Sequence, residues 1–226
     1  MRKLFILLLI GACAYAFGED KSDVQQRLDN AANVLQQIIA APDKGIPQEV
    51  LSSAKCVAVV PHMVKGGLGF GGQHGRGVAT CRTQNGWSAP SFFAISGGSW
   101  GLQIGVEGVD LVMLAMNDQG MQALLNDKFQ IGGDVSAAAG PVGRHAAAGT
   151  DWKLQSPILT YSRAKGAFAG ITINGSAVRQ DMDSTKAFYG QSVTSQALLA
   201  GSVPAPPAAR TFLNAVAQAQ TVAQTR

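Results

Sequence analysis

Five cations stand in or beside glycine-rich turns: Lys65, Arg76, Arg144, Arg163 and Lys165. Turns of this kind expose backbone N–H groups, and a neighbouring cation completes a cradle for a phosphate. The chemistry on offer is capture of an anionic group. The plainer alternative makes them solvated loop charges, or ion-pair partners of Asp134 and Asp151. A second pattern, Gly97-Gly98-Ser99-Trp100-Gly101, fits G-x-S-x-G. A serine nucleophile needs that motif on a strand-to-helix turn. Here Leu102 to Val106 reads as strand, so Ser99 is expected in a turn between strands, although Asp134 and His145 follow it in triad order. The glycines from Gly67 to Gly71 lack the following helix that a nucleotide loop requires. His62, His74 and His145 share no ligand spacing. Asp181-Met182-Asp183-Ser184 lacks the glycine and distal glutamate of a calcium loop. The residues therefore call for no metal, no cofactor and no enzyme.

The elements that must position these residues are short. Val24, Leu28, Ala32, Leu35 and Ile39 recur at helical spacing, with Ser22 as N-cap and Gln25 completing a capping box. Pro42 and Gly45 end this helix. Pro47 starts a second one over 48–54. Strands are then expected over 56–60, 67–71, 77–82, 91–95, 101–106 and 111–116. Asn85-Gly86 marks a hairpin turn. A short helix over 118–125, capped by Asp118, leads to further strands over 129–138, 158–162 and 167–173. Asn174-Gly175 marks another hairpin turn. A helix over 182–189 precedes the stiff Pro204-Ala205-Pro206-Pro207 segment, and a weakly amphipathic helix closes the chain over 210–223. The fold class is α+β: a curved, mostly antiparallel sheet of about seven or eight strands, packed by an N-terminal amphipathic helix and short C-terminal helices. Gly67, Gly69 and Gly71 fall on one side of a strand. That bare face suits sharp curvature, packing on the first helix, or close approach of a ligand. Trp87, Phe92, Phe93 and Trp100 are core aromatics or the walls of an acyl pocket.

Composition narrows the class. Hydrophobic residues make up 46% and charged residues 14%, which excludes a disordered chain. Twenty-seven glycines exclude a helical bundle. Arg2 and Lys3, the apolar run 4–10 and Ala14-Tyr15-Ala16 read as a secretory leader over 1–16. A competing reading places a lipid on Cys13, within Ile10-Gly11-Ala12-Cys13. Residues 17–203 form the domain, and 204–226 a Pro-rich linker and closing helix. Eighteen Lys and Arg stand against 14 Asp and Glu, and two of the cations belong to the leader. What remains is mildly basic, with no dense cluster that would mark a nucleic-acid partner. No run beyond the leader is long and apolar enough to cross a membrane. Cys56 and Cys81 either pair as a disulfide or stay as two buried thiols.

Many motifs, in order, resemble one family. They are Lys65-Gly66-Gly67-Leu68-Gly69-Phe70-Gly71-Gly72, Gly75-Arg76-Gly77, Gly86-Trp87-Ser88-Ala89-Pro90-Ser91-Phe92, Gly97-Gly98-Ser99, Gly101-Leu102-Gln103-Ile104-Gly105 and Asp110-Leu111-Val112. Gly132-Gly133-Asp134, Ala139-Gly140-Pro141-Val142-Gly143-Arg144, Tyr161-Ser162-Arg163-Ala164-Lys165-Gly166 and Phe168-Ala169-Gly170 continue the series. The stretch 24–190 resembles the SYLF (Ysc84-like) domain, in its bacterial exported type. That resemblance implies a non-catalytic lipid-binding protein of the cell envelope, with a phospholipid or membrane surface as partner and an exported, periplasmic location. Some eukaryotic members bind phosphoinositides through basic residues and an N-terminal amphipathic helix, and some engage actin. In this chain the helix over 24–39 carries only Arg27 on its polar side, beside Asp29. A generic phospholipid is therefore expected over a phosphoinositide. A structural envelope protein without a small ligand is the second expectation.

Overall fold

The computed structural model describes residues 20–40, 45–143, 156–164 and 167–221. The leader with Cys13, and Arg144, His145, Asp151 and Lys165, lie outside the described residues.

Helix α1 spans Lys21–Ala40 and buries Val24, Arg27, Leu28, Ala31, Ala32, Val34, Leu35 and Ile38. Recurrence at three and four residues gathers these onto one face. Its cap is Asp20, not Ser22: Oδ1 accepts from the backbone N–H of Ser22 at 2.7 Å and of Asp23 at 3.0 Å. Asp20 has the shorter, ionised acceptor beside a helix start that favours negative charge. The Ser22 hydroxyl, then these backbone donors, hold the Asp20 carboxyl below its ordinary pKa. Helix α2 spans Gln48–Ser53 after Pro47.

Six expected strands fuse into two long ones. β1 runs Cys56–Thr83 and β3 runs Ser91–Ala115, joined through the short β2, Gly86–Trp87. Gly86 takes φ 113 at the turn. β1 and β3 pair antiparallel from Cys56↔Ala115 to Ala79↔Ser91, with irregularities between Val60 and Met63 and between Leu68 and Phe70. The glycines that were expected to break the chain into short strands instead let these two bend. β1 curls until its ends lie side by side. Arg82 N donates to Lys55 O at 2.7 Å, and a disulfide joins Cys56 to Cys81, their Cα atoms 4.0 Å apart. Gly77 makes that approach sterically feasible, since a Cβ there would lie 2.7 Å from Val59 O.

The remaining elements complete a curled, mixed sheet of eight strands. They are α3 (Asp118–Leu125), β4 (Lys128–Gln130), β5 (Ala137–Ala139), β6 (Ile158–Ala164), β7 (Ala167–Gly170) and β8 (Ala177–Gln180). After them come α4 (Met182–Tyr189), α5 (Ser195–Leu199), a 3-10 turn (Pro207–Ala209) and α6 (Arg210–Thr221). The N-cap of α3 is Asn117, whose side chain accepts from Gly120 N, and not Asp118. β3 pairs β8 over Phe93–Ser96 and β6 over Asp110–Ala115. β5 and β6 form the parallel pair. The expected strand over 129–138 is broken by a turn in which Gly132 takes φ 87.

Alternation along the strands makes two cores. Val57, Val59, Val78, Phe92, Val112 and Leu114 pack with α1, α2, and Phe212 and Val216 of α6. Ala58, Val60, Phe93, Ile95, Leu111 and Met113 fill the inside of the curl with Leu124 and Phe129. Each fully buried side chain of this size contributes roughly 1.5–3 kcal/mol relative to exposure. α1 thus spends its apolar stripe inside the protein. No helix among the described residues is long and apolar enough to cross a membrane.

Candidate anion-binding cleft

Proline removes a ladder donor, so Pro61 within β1 forces an irregularity. The next residue, His62, has φ 56 and is the one non-glycine with positive φ among the described residues. Asp110 holds it there: Oδ1 accepts from His62 N at 3.0 Å and lies 3.7 Å from His62 Nδ1. The other Asp110 oxygen, Oδ2, accepts from Arg163 Nη1 at 2.9 Å. The His62 imidazole is largely exposed.

The returning arm of β1 passes close by. A Cβ on Gly75 would sit 2.5 Å from Val60 Cγ1 and 3.2 Å from Met63 Cα, so only glycine admits this approach. Its neighbours, His74 and Arg76, are exposed beside His62. Across from them α1 presents Asp23, Gln26, Arg27 and Asn30, spaced as one helical face. These residues, with Pro61, Val64 and Gly75, enclose a cleft of about 290 Å³.

Arg27 belongs to the floor, not to a polar outer face. It donates from Nη1 to Ser184 Oγ at 2.8 Å and lies 3.6 Å from Asp181 Oδ2. Arg76 Nε is also 3.6 Å from that oxygen. Asp181 Oδ1 meanwhile accepts from Ser184 N at 3.1 Å and caps α4. One carboxylate therefore anchors two guanidiniums and a helix start. Two guanidiniums and two imidazoles around a small open cleft suit a compact oxyanion such as a phosphate.

The described ones among the expected cations, Lys65, Arg76 and Arg163, do not converge on one site. Arg76 lines the cleft. Lys65 lies on β1 opposite Glu107, where burial lowers its pKa and Glu107 opposes the shift. Arg163 is an ion-pair partner of Asp110, while Asp134 accepts from Gln130 N within its own turn. Arg163 and Arg76 thus pair with Asp110 and Asp181 and not with Asp134, while Asp151 lies outside the described residues. Ser99 is inside β3, opposite Gly71, and not in a turn between strands. The described residues contain no group of His, Cys, Asp and Glu suited to a metal ion. His62 and His74 had looked unrelated because twelve positions of a bent strand separate them. The one usable signal was Pro61 inside a β-branched run.

Fold and cleft together define an α+β domain with a curled sheet and a recess of charged and polar side chains under its first helix. The chain belongs to the Ysc84 family. Residues 96–219 match the family model described as "Ysc84: Las17-binding protein actin regulator". Protein YSC84 of Saccharomyces cerevisiae is 36% identical over 192 residues, covering 81% of this chain and 41% of the yeast protein. LAS seventeen-binding protein 3 of the same yeast is 35% identical over 170 residues, covering 74% and 37%. Human SH3 domain-containing YSC84-like protein 1 is 30% identical over 192 residues, covering 82% and 56%. The chain thus spans about half the length, or less, of these relatives.

Proposed function

We propose that the protein is a non-catalytic binder of anionic phospholipid headgroups, exported to the cell envelope. The observation that carries this reading is the cleft of His62, His74, Arg27 and Arg76, whose size fits a headgroup phosphate and not an acyl chain. The leader-like residues 1–16 favour export, through cleavage after Ala16 or lipidation at Cys13. Pairing of Cys56 with Cys81 fits an oxidising compartment. Residues 17–203 form the binding domain in this reading, with 204–226 as its closing segment. Lys65 would add to the field around the cleft, and Arg144 and Lys165 are kept in this reading as further headgroup-binding cations. Arg163 would act through Asp110, holding the His62 turn.

The family description, which names Las17 binding and actin regulation, supports a second reading: an interaction protein whose partner is another protein. Flotation of the purified protein with phosphatidylglycerol-containing vesicles and with phosphatidylcholine vesicles separates the two. The lipid reading expects binding to the anionic vesicles that weakens with salt. It also expects Arg76→Gln to lower that binding about fivefold, measured on variant protein that circular dichroism shows to be folded. Equal or absent binding to both vesicles would refute it and leave the protein-partner reading.

A further inference from the structure

We infer that the cleft under α1 is a proton-gated anion site: it holds an anionic headgroup once His62 and His74 are protonated, and releases it as pH rises through the imidazole range. The inference rests on the lipid reading above and adds the regulation of that site. Both histidines line the cleft, although they stand far apart along β1. The irregularity after Val60 and the close pass of Gly75 against Val60 and Met63 bring the two arms of the strand together. Both residues are exposed, so their rings exchange protons with solvent directly.

With neutral imidazoles, the described charges around the cleft balance. Asp181, at the start of α4, stands 3.6 Å from Arg27 of α1 and from Arg76 of β1. Asp23 of α1 lines the same cleft and supplies a second carboxylate. Beside His62, Asp110 of β3 accepts from Arg163 of β6. Further along β1, Lys65 is set opposite Glu107 of β3. Guanidiniums already matched by carboxylates leave an incoming anion little net attraction. Two imidazolium charges added to this recess turn it into a cationic site, with ring N–H donors for the anion's oxygens.

Imidazole is the side chain that ordinarily changes charge between about pH 5 and 8. Carboxylates and guanidiniums ordinarily keep theirs across that interval, so the two histidines set the balance. The shape of the site does not depend on the added protons. Asp110 Oδ1 accepts from the His62 backbone N–H at 3.0 Å whatever the ring carries. It also lies 3.7 Å from Nδ1, where a proton adds an ion pair to the same turn. The gate is therefore one of charge and not of conformation. By linkage, a bound anion must in turn favour proton uptake by the two rings.

Flotation with phosphatidylglycerol vesicles at about pH 5.5 and about pH 8 tests the gate, since the phosphodiester of this lipid keeps its charge at both. Binding should be about twentyfold tighter at the lower pH. His74→Gln should lose about fivefold there and nothing at the higher pH. Joined to His62→Asn, which tolerates the positive φ, it should bind alike at both, on protein that circular dichroism shows to be folded. Equal binding of the parent protein at the two pH values would overturn the gate and leave the lipid reading standing. So would a double variant that keeps the full pH dependence, because the protons would then act elsewhere. Should the double variant not fold, His74→Gln decides alone, and an unchanged ratio between the two pH values overturns the gate. Failure of the protein to bind these vesicles at either pH would sink this inference and the lipid reading together.

Discussion

Arg27 and Asp181 face one another inside the protein, Nη1 3.6 Å from Oδ2, with each side chain less than a tenth exposed. The pair ties α1 to the start of α4, and Arg76 joins it from the sheet. Breaking a buried pair from one side leaves an uncompensated charge, which costs more than the pair contributes. Arg27→Met should therefore destabilise the protein by about 3 kcal/mol. Asp181→Asn on that background should recover part of the loss, as urea unfolding of the four-member cycle would show.

The disulfide closes a loop with a sequence separation of 25. Loop-closure entropy alone predicts about 3–4 kcal/mol of stabilisation for such a loop. Peptide mapping without reductant should recover Cys56 and Cys81 in one linked species. Replacing both by serine should lower the unfolding midpoint by a matching amount, and added reductant should then have no further effect.

Two glycines of the long strands should respond in opposite ways to one methyl group. A Cβ on Gly77 would meet Val59 O and the Phe93 ring below 3 Å, whereas Gly98 has nothing within 4 Å. Gly77→Ala is expected to cost about 1–3 kcal/mol by overpacking. Gly98→Ala should stay within about 0.5 kcal/mol of the parent. Thermal unfolding of the two variants checks the contrast.

Burial pushes the phenols of Tyr161 and Tyr189 above the ordinary tyrosine value of 10.0. The unfolded chain releases these protons at lower pH than the folded one. Stability is therefore unaffected below about pH 10 and falls as pH rises beyond it. For the fully buried Tyr161 the loss is about 1.4 kcal/mol for each pH unit. Phenolate absorbance should rise together with unfolding and not before it. Tyr161 Oη also has no hydrogen-bond partner among the described residues, so Tyr161→Phe should be neutral or stabilising by about 1 kcal/mol.

Helices carrying a strong period or a cap were legible in the sequence. The helices over 118–125 and 182–189 match their expected bounds, and α1 follows its apolar spacing. β1 and β3 were not, because glycine reads locally as a break. Here Gly75 and Gly77 let one strand fold onto itself, a relation between residues far apart that no window of sequence contains. β8 and α5 were missed because each is short and carries a weak pattern. The cleft suffered in the same way. Arg76 was identified by its glycine neighbours, but the place of Arg27 depends on Asp181 and Ser184, about 150 positions away. Arg163 looked like a binding cation until Asp110, on the neighbouring strand, supplied its partner.

α1 is made well before α6, yet Leu28 and Leu35 share their core with Phe212 and Val216 of that later helix. The first helix therefore has no complete cover until α6 has emerged. Folding is a late, whole-chain event for this architecture, dominated by contacts between distant residues. A growing chain would carry a bare apolar stripe until then, which makes holding factors that shield such stripes natural companions of its biogenesis.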